Sequence, residues 1–431
     1  MENKTVNINI PVLARVEGEG ALKLAIQDNR ITDLQLNIYE PPRFFEKFLE
    51  GRNYEDILDI VARICGICPV AYQMSAVHAI ESILQIDPGP WVREMRRLMY
   101  CGEWIESHAL HIHLLAAPDY LGFDSALGMA EQYPDEVRRG LQLQNLGNQI
   151  IRLVGGRSVH PVGMRVGGFH HAPASSKVEQ LKQDLIAARD DARALIGWTA
   201  GLDLPDDEQD FTTVALQHPN EYAFNEGRII ASTGLDIDIS EYQQHFNETH
   251  VAHSTALHSS LHGEPYLVGP LARVNLNYEH IADEFMAPAV QAGIRFPSRN
   301  MFHSIVARAI EINYALEEAI RILDAYTLPA QPYVTASIKA GTGFGCSEAP
   351  RGILWHTYSL DDEGNVTHAV IIPPTSQNQA RIEQDLRNAL EKFGLGNDDQ
   401  ALRLLGEKVI RNYDPCISCA THFLKMHVTR E

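Results

Sequence analysis

Four of the six cysteines form two Cys-x-x-Cys pairs, one near each end of the 431-residue chain. Cys65 and Cys68 lie in RICGIC, and Cys416 and Cys419 lie in DPCISC. Thiolates are soft ligands, so a set of four suits zinc, nickel or an iron–sulfur cluster, and the sulfur count alone does not choose the metal. Six cysteines in this length are too few for a disulfide scaffold, which favours a metal or redox role for the pairs.

The separation of the two pairs differs from that of an ordinary structural zinc site. Cys68 and Cys416 are 348 positions apart, whereas the pairs of a structural zinc site are about 15–20 residues apart. Such a site closes only after the whole chain has folded. A structural zinc site that joins two lobes remains an alternative, and a thioredoxin-like dithiol is less favoured because the rest of the chain lacks a compact βαβ pattern.

Both pairs are predicted to stand at helix starts. Pro69 directly follows Cys68, while Asp414 and Pro415 precede Cys416 in the manner of an N-cap residue and a first-turn proline. The positive end of a helix dipole favours a thiolate, which lowers the free-energy cost of gathering four anionic sulfurs.

The composition narrows the possible partners and compartments. With 36 Lys and Arg against 56 Asp and Glu, and with no basic cluster, the chain is not expected to bind nucleic acid or an anionic membrane. No apolar run approaches the roughly 20 residues that a membrane helix needs. The N-terminal residues lack a basic segment followed by an apolar one, so a cytoplasmic protein is predicted.

The elements that must position the cysteines are mostly helical. Residues 5–40 alternate apolar and polar side chains as antiparallel strands do, and from Glu46 onward the apolar spacing becomes helical. A long helix is predicted over 91–117, with Pro118 at its end. Further helices are predicted at about 137–155, 176–200, 298–326 and 376–394, and strands within 228–239 and 364–375.

The predicted fold class is therefore mainly α with peripheral β, with a central bundle of long helices and an N-terminal antiparallel sheet. At 431 residues and 45% hydrophobic composition the chain can bury a large core. Four regions are predicted: an N-terminal β-sheet region (1–45), a helical core with the first cysteine pair (46–200), a mixed α+β insertion (201–297), and a helical and mixed C-terminal region with the second pair and a tail (298–431).

RICGIC and DPCISCATH resemble the two nickel-binding motifs of the large subunit of [NiFe] hydrogenases, especially of the cytosolic, multi-subunit class coupled to NAD(P). Further blocks resemble the family in family order and span nearly the entire chain: ARVEGEG (14–20), RFFEKFLEGR (43–52), GGRSVHPVGMRVGGFH (155–170), SEAPRGILWH (347–356) and IIPPTSQNQ (371–379). The resemblance implies the large-subunit fold and reversible, heterolytic cleavage of H2.

The resemblance also implies the ligands of the metal centre. Cys65 and Cys416 would be the terminal ligands of a nickel ion. Cys68 and Cys419 would bridge the nickel to an iron that carries carbon monoxide and cyanide.

Three catalytic roles follow from the same resemblance. Cys416 would accept the proton from H2, and Glu17 would be the first carboxylate that carries it toward solvent. Arg351 would lie over the metals as an electrostatic partner, because a guanidinium is always protonated. Together with Pro374 and Thr375, it would line the iron and donate hydrogen bonds to cyanide.

A second metal site and a processing step are implied near the C-terminus. Glu46 and His422 resemble the ligands of the family's separate magnesium or iron site. Residues 423–431 resemble the tail that a maturation protease removes after nickel-insertion factors have loaded the metal. One departure is Tyr72, which stands where the family commonly has a histidine.

The resemblance implies partner subunits as well. Because the chain has no further cysteine array, iron–sulfur clusters would lie in a small subunit, and a flavin-bearing diaphorase module would pass electrons to NAD(P). Two alternatives remain, a hydrogen-sensing regulatory subunit and a non-catalytic structural relative. Relatives of the second kind typically lack the nickel cysteines, all four of which are present here.

Overall fold

A computed structural model describes residues 5–421 of the chain. Helices form its largest part, and five small sheets surround them. The helices are α1 Phe45–Leu49, α2 Ile57–Val61, α3 Pro69–Leu84, α4 Pro90–Leu110, α5 Ala117–Leu121, α6 Ala126–Gln132, α7 Pro134–Gly155, α8 Ser175–Ala187, α9 Arg189–Ala200, α10 Tyr242–His245, α11 Pro270–Asn277, α12 Asp283–Gln291, α13 Ser304–Asp324, α14 Pro374–Phe393, α15 Asp399–Tyr413 and α16 Ile417–Ala420. The strands are β1 Thr5–Ile10, β2 Gly20–Gln27, β3 Arg30–Ile38, β4 Met164–Arg165, β5 Gly168–Phe169, β6 Thr212–Gln217, β7 Arg228–Ala231, β8 Asp236–Ile237, β9 Phe246–Thr249, β10 His258–Leu261, β11 Tyr266–Leu267, β12 Gly341–Ala349, β13 Gly352–Leu360 and β14 Val366–Ile372.

The long helices pack into one bundle. Helix α4 lies between α7 and α13, and α13 also packs against α8 and α9. Their apolar faces form the largest core cluster, which includes the fully buried Trp104 of α4 and the nickel-motif cysteines. The predicted helical bundle with an N-terminal antiparallel sheet is confirmed. The division into four regions stays a prediction.

The helical run that begins with α4 is longer than predicted. After Leu110 the backbone makes a π-helical turn over His111–Ala116 and continues directly into α5. The prediction that Pro118 ends the helix is wrong, because Pro118 is the second residue of α5 and the helical run continues to Leu121.

Two glycines allow α4 and α7 to approach backbone to backbone. A Cβ atom on Gly147 would lie 2.5 Å from the Gly102 carbonyl oxygen and 2.5 Å from the Glu106 amide nitrogen. A Cβ atom on Gly102 would lie 2.8 Å from the Gly147 carbonyl oxygen. No side chain fits at either position without moving one helix, so this contact fixes the position of α4.

Two three-stranded antiparallel sheets pack against the helices. Strands β1, β2 and β3 form the predicted N-terminal sheet, whose buried face packs with α14 and α15 in a second core cluster. Strands β12, β13 and β14 form the other sheet, and β12 lies directly on α3. Each aliphatic side chain buried between such layers contributes about 1.5–3 kcal/mol.

Several elements differ from the sequence prediction. The segment from Glu46 to Ile64 forms two short helices, α1 and α2, rather than one periodic helix. Helix α15 and strands β12 and β13 were not predicted. The two strands are buried on both faces along most of their length, so they lack the alternation that marks a half-exposed strand. In the described part of the chain, every helix is too short or too polar to cross a bilayer.

Replacing Gly147 with alanine is expected to destabilise the protein by about 1–3 kcal/mol, the usual effect of overpacking a close contact. Thermal unfolding of the purified protein measures this. The matched control is Gly197→Ala on the exposed side of α9, where a Cβ atom meets nothing within 4 Å. That control is expected to be neutral or slightly stabilising, because alanine favours a helix more than glycine does. Equal melting temperatures for the two variants would contradict the close-packing argument.

Candidate metal centre

The first cysteine pair lies in the turn that leads into α3. Cys68 is the N-cap residue and Pro69 begins the helix, as predicted. The Cys65 sulfur accepts hydrogen bonds from the backbone amides of Ile67 at 3.3 Å and Cys68 at 3.2 Å. These amides favour negative charge on the sulfur, so the turn is shaped to hold a thiolate.

The second pair lies between α15 and α16, and its local geometry differs from the prediction. Asp414 is the residue that ends α15, in a left-handed conformation with φ 55°, and it is not an N-cap. Cys416 itself occupies the N-cap position of α16. Aspartate tolerates the left-handed region better than most residues, and this conformation turns the chain sharply before Cys416.

The four sulfurs converge into one buried cluster. The Sγ–Sγ distances are 3.5 Å for Cys65 and Cys416, 3.5 Å for Cys68 and Cys419, and 2.8 Å for Cys416 and Cys419. All four ligand atoms lie within 4.8 Å of one another, and none of the four cysteines is in a disulfide. The arrangement is that of a four-sulfur metal site.

The electrostatics of the cluster call for a cation. Burial raises the pKa of Cys416, and the neighbouring sulfurs raise it further. Burial acts on Cys65 in the same direction, but hydrogen bonds from the other three cysteines outweigh it and lower the pKa of Cys65. Without a metal, then, the cluster stabilises one thiolate and disfavours the next. Four thiolates at these distances need positive charge between them.

A small cavity lies beside the sulfurs. Its walls are formed by Cys68, Tyr72, Ala349, Arg351, Leu354, Pro374, Cys416 and Cys419. The Tyr72 side chain is buried beside these sulfurs, and its hydroxyl interacts with the Cys419 sulfur. The residues therefore fit a nickel ion on the sulfurs and, in the cavity, an iron with small acceptor ligands.

Arg351 is held at the cavity wall by Asp414. Its Nη2 donates to the Asp414 carboxylate at 3.0 Å, and its Nε donates to the Asp414 carbonyl oxygen at 2.7 Å. Burial alone would lower the pKa of Arg351, but Asp414 and the cysteine sulfurs raise it well above its usual value. The guanidinium is thus a fixed positive charge beside the sulfurs.

The other two residues predicted to face the iron begin α14. Pro374 is the first residue of this helix and lines the cavity. The Thr375 hydroxyl oxygen accepts the Cys416 amide at 3.0 Å, which leaves its own hydrogen available as a donor. The free amides and positive dipole end of a 20-residue helix therefore lie next to the cavity.

Glu17 lies directly against the second cysteine pair. The Cys416 sulfur contacts Glu17 Oε2 at 3.2 Å, and the Ser418 amide donates to the same oxygen at 3.0 Å. The Ile417 amide also donates to the Glu17 carbonyl oxygen at 3.0 Å. Gly18, with φ 87°, permits this contact, because a Cβ atom there would lie 2.6 Å from Ile417 Cβ.

Glu40 is a second carboxylate near Glu17, and the sequence analysis did not identify it. The Ser418 hydroxyl donates to Glu40 Oε2 at 3.0 Å, and the Glu19 amide donates to the same oxygen at 3.4 Å. Glu40 is partly exposed, so it extends the polar chain from Glu17 toward the surface. A single glutamate in a loop has no sequence signal for such a role.

Glu46 lies apart from the sulfurs, on the wall of a cavity of about 460 Å³ that is also lined by Ile371 and Ala420. Its Oε1 accepts the Ile371 amide at 2.7 Å. His422, its predicted partner at a second metal site, and the predicted tail lie outside the described residues.

Comparison with known proteins identifies the family. The model of the nickel-dependent hydrogenase family matches residues 43–139 and 234–422. Sulfhydrogenase 1 subunit alpha of Pyrococcus furiosus is 35% identical over 430 residues, which cover 99% of this chain and 100% of that protein. The NAD-reducing hydrogenase HoxS subunit beta of Cupriavidus necator is 28% identical over 472 residues, covering 96% of this chain and 94% of that one.

Solved structures share the fold along the whole chain. The crystal structure of an NAD+-reducing [NiFe]-hydrogenase in the H2-reduced state superposes with a TM-score of 0.87 at 28% identity, covering 97% of this chain and 100% of that one. The [NiFeSe]-hydrogenase of Dm. baculatum superposes with a TM-score of 0.81 at 22% identity, over 97% of this chain and 100% of that one. At that identity the second match supports the fold alone.

The resemblance seen in the sequence motifs is confirmed, and the alternatives of a structural zinc site and a non-catalytic relative are set aside. The family model covers most of the chain and includes both cysteine pairs, which the fold brings together into one centre. The chain belongs to the nickel-dependent hydrogenases and is a catalytic large subunit of the [NiFe] type, an oxidoreductase that acts on H2.

Proposed function

We propose that this subunit cleaves H2 reversibly and heterolytically, that the proton leaves through Cys416 and Glu17, and that the electrons pass to a partner subunit and on to NAD(P). The observation that carries the proton path is the 3.2 Å contact between the Cys416 sulfur and Glu17 Oε2. When bound, a nickel–iron centre with carbon monoxide and cyanide on the iron would activate H2 and take up its electrons.

The positions of three of the four sulfurs relative to the cavity support the proposed ligand roles. Cys68 and Cys419 both line the cavity, as residues that bridge nickel to an iron there would. Cys65 does not line it, which suits a terminal nickel ligand. Cys416 lines the cavity as well, so its terminal role is proposed from its contacts with Cys65, the other terminal ligand, and with Glu17.

Cys416 is the proposed proton acceptor, and Arg351 is its electrostatic partner. The Cys416 sulfur lies 3.2 Å from Glu17 Oε2, so a proton taken up by the sulfur has an acceptor within hydrogen-bond reach. Arg351 already holds its proton firmly, because Asp414 keeps the pKa of the guanidinium well above its usual value despite burial. It therefore supplies charge and a hydrogen-bond donor, and it does not act as a base.

From Cys416 the proton passes to Glu17, which is within hydrogen-bond reach of the sulfur. Ser418 lies between the two carboxylates, with its amide on Glu17 and its hydroxyl on Glu40. Glu40 is the proposed next acceptor on the way to solvent. This arrangement needs no movement of the backbone, because the Ile417–Glu17 hydrogen bond fixes the two segments together.

Three residues are proposed to hold the iron's ligands. Cyanide nitrogen accepts hydrogen bonds, and a buried cyanide needs donors. Arg351 lines the cavity with its guanidinium, and the α14 N-terminus presents the Thr375 hydroxyl beside Pro374. The positive end of this helix further favours an anionic group at the same place.

A second ion, magnesium or iron, is proposed at Glu46 and His422. Glu46 lines a cavity next to Ala420, two positions before His422 in the chain. Magnesium prefers oxygen ligands and retains several waters, for which a cavity of about 460 Å³ has room. Such an ion would anchor the end of the chain after a maturation protease has removed residues 423–431.

The small number of cysteines outside the metal centre supports the proposal of a partner subunit that carries the iron–sulfur clusters. Outside the metal centre the chain has only Cys101 and Cys346, both buried and separate in sequence, so it has no ligand set for an iron–sulfur cluster. We therefore propose a small subunit with such clusters. The relatives named above include an NAD-reducing hydrogenase, which supports a flavin-bearing diaphorase module and a cytoplasmic NAD(P)-coupled complex.

Replacing Cys416 with serine is expected to lower H2 uptake by more than about 100-fold, because a positioned base alone contributes roughly 10²–10⁴-fold. Dye-linked H2 uptake measures this, and infrared bands of metal-bound carbon monoxide and cyanide report the centre itself. The matched control is Cys101→Ser, the same atom change at a buried thiol outside the centre. Retained uptake in the Cys416 variant would refute its role.

Replacing Glu17 with glutamine is expected to slow H2/D2 exchange with solvent protons by about 10²–10⁴-fold, since the amide cannot accept the proton. The infrared spectrum of the centre should keep its bands. Glu19→Gln in the same motif is the control, because Glu19 is exposed and its side chain forms no contact with Cys416 among the described residues. Normal exchange in the Glu17 variant would remove Glu17 from the path.

The assembled complex is expected to reduce NAD+ or NADP+ with H2, whereas the large and small subunits alone should reduce only an artificial dye. Formation of NADH or NADPH, followed by absorbance, measures the difference. Failure of the full complex with both nucleotides, together with normal dye reduction, would overturn the proposed carrier and leave the H2 chemistry intact.

A further inference from the structure

A second group of metal-ligating side chains lies outside the cysteine centre. The ligand atoms of His253, His258 and Glu383 all lie within 4.8 Å of one another. None of these residues belongs to the nickel motifs or to the proposed Glu46 site. The three come from a loop, from β10 and from the middle of α14.

Hydrogen bonds hold the two histidines in place. His258 begins β10, opposite Thr249 of β9, and its carbonyl oxygen accepts the Thr249 hydroxyl at 3.2 Å. The loop that carries His253 is tied to the end of β3 by Thr255, whose amide and hydroxyl both donate to the Ile38 carbonyl oxygen, at 2.8 and 3.0 Å. Hydrogen bonds outside the group therefore hold the backbone segments that carry both histidines.

Glu383 is oriented by a similar contact. Its Oε1 accepts the Leu36 amide of β3 at 2.8 Å and lies 2.8 Å from His253 Nε2. A backbone donor on a carboxylate is the outer-shell support that metal-ligating carboxylates usually have. The Leu36 bond would remain if an ion took the place of the proton between His253 and Glu383.

The His258 ring lacks a hydrogen bond at one of its nitrogens among the described residues. Its Nε2 is buried and has no hydrogen-bond partner among residues 5–421, and the residue is only 7% exposed. Its ring lies 5.7 Å from the His253 ring, at 85°. The buried Nε2 is one of the two imidazole nitrogens that can bind a metal ion. A hydrogen bond between His253 and Glu383 alone would leave this nitrogen unsatisfied.

We propose that His253, His258 and Glu383 bind a divalent transition-metal ion of the zinc class, separate from the nickel–iron centre. Two imidazoles and one carboxylate form a ligand set for zinc, whereas magnesium and calcium prefer oxygen ligands alone. The side chains of His253 and Glu383 are 23% and 19% exposed, so water can complete the coordination and the ion can enter from solvent.

The ion would join three segments that meet at α14: the loop before β10, β10 itself and, through Leu36, strand β3. The same helix begins with Pro374 and Thr375 beside the cysteine cluster. The site would thus brace a helix whose first turn faces the nickel–iron centre. Its role is structural.

The experiment uses the assembled enzyme, treated with a chelator, dialysed and then titrated with Zn2+ while metal content is measured by mass spectrometry. The wild-type enzyme is expected to bind one zinc more than the His258→Asn enzyme. Affinity at this site should fall at least about 10-fold in the variant, the loss that even an outer-shell change can cause. An ion at the proposed Glu46 site would be common to both, so the difference is decisive.

The matched control is His245→Asn. His245 and His262 form an exposed pair with Nδ1 and Nε2 2.9 Å apart, on the same hairpin region but outside the group. This variant is expected to keep the zinc. Zinc lost from the His245 variant and kept by the His258 variant would assign the ion to the exposed pair and overturn the proposal.

Glu383→Gln provides a second variant if the buried His258 position does not tolerate change. It keeps the size of the side chain and its hydrogen bond from Leu36, and it removes the charge that binds the ion. Zinc is expected to raise the melting temperature of the wild-type enzyme and of the His245 variant, but not that of the Glu383 variant. Equal zinc content and equal melting in all four proteins would refute the site.

Discussion

The packing of four buried sulfurs within 4.8 Å of one another is the constraint on which the structure depends. Each added thiolate raises the free-energy cost of the next, so the cluster is stable only with a cation and with donors arranged around it. The sulfurs come from the start of α3 and from the segment after α15, and the second segment is also hydrogen-bonded to Glu17 in the loop before β2. The four-sulfur centre therefore forms only when both ends of the chain have folded into place.

Two buried arginines in the core are each paired with a carboxylate. Arg351 faces the cavity and is paired with Asp414, the residue whose left-handed conformation directs the chain toward Cys416. Deeper in the bundle, Arg273 donates to Glu311 at 2.7 and 2.8 Å. Burial would raise the pKa of Glu311, but Arg273 outweighs this effect and lowers it to about 2. Both arginines thus have a carboxylate partner, and an unpaired buried charge would destabilise the fold by several kcal/mol.

Helix α14 connects the two metal-ligating groups of the molecule. Its first turn lies at the nickel–iron cavity, and Glu383, further along the helix, belongs to the proposed zinc site. Between them the helix packs on the N-terminal sheet and β10. A helix that must present its amides to a metal centre needs a fixed axial position, and contacts at its first turn and at its middle supply it.

The family, the four cysteines and the main helices could be recognised from the sequence alone, because these depend on residue type and local spacing. Glu17 could also be singled out, since it lies inside the ARVEGEG block, and Pro69 correctly marked a helix start. The tertiary structure alone decided which groups meet over hundreds of residues: Glu40 with Ser418, Arg351 with Asp414, and His253 with Glu383. Local patterns show which donors and acceptors a segment offers. Only the packing of the helices and sheets decides which of them come within bonding distance.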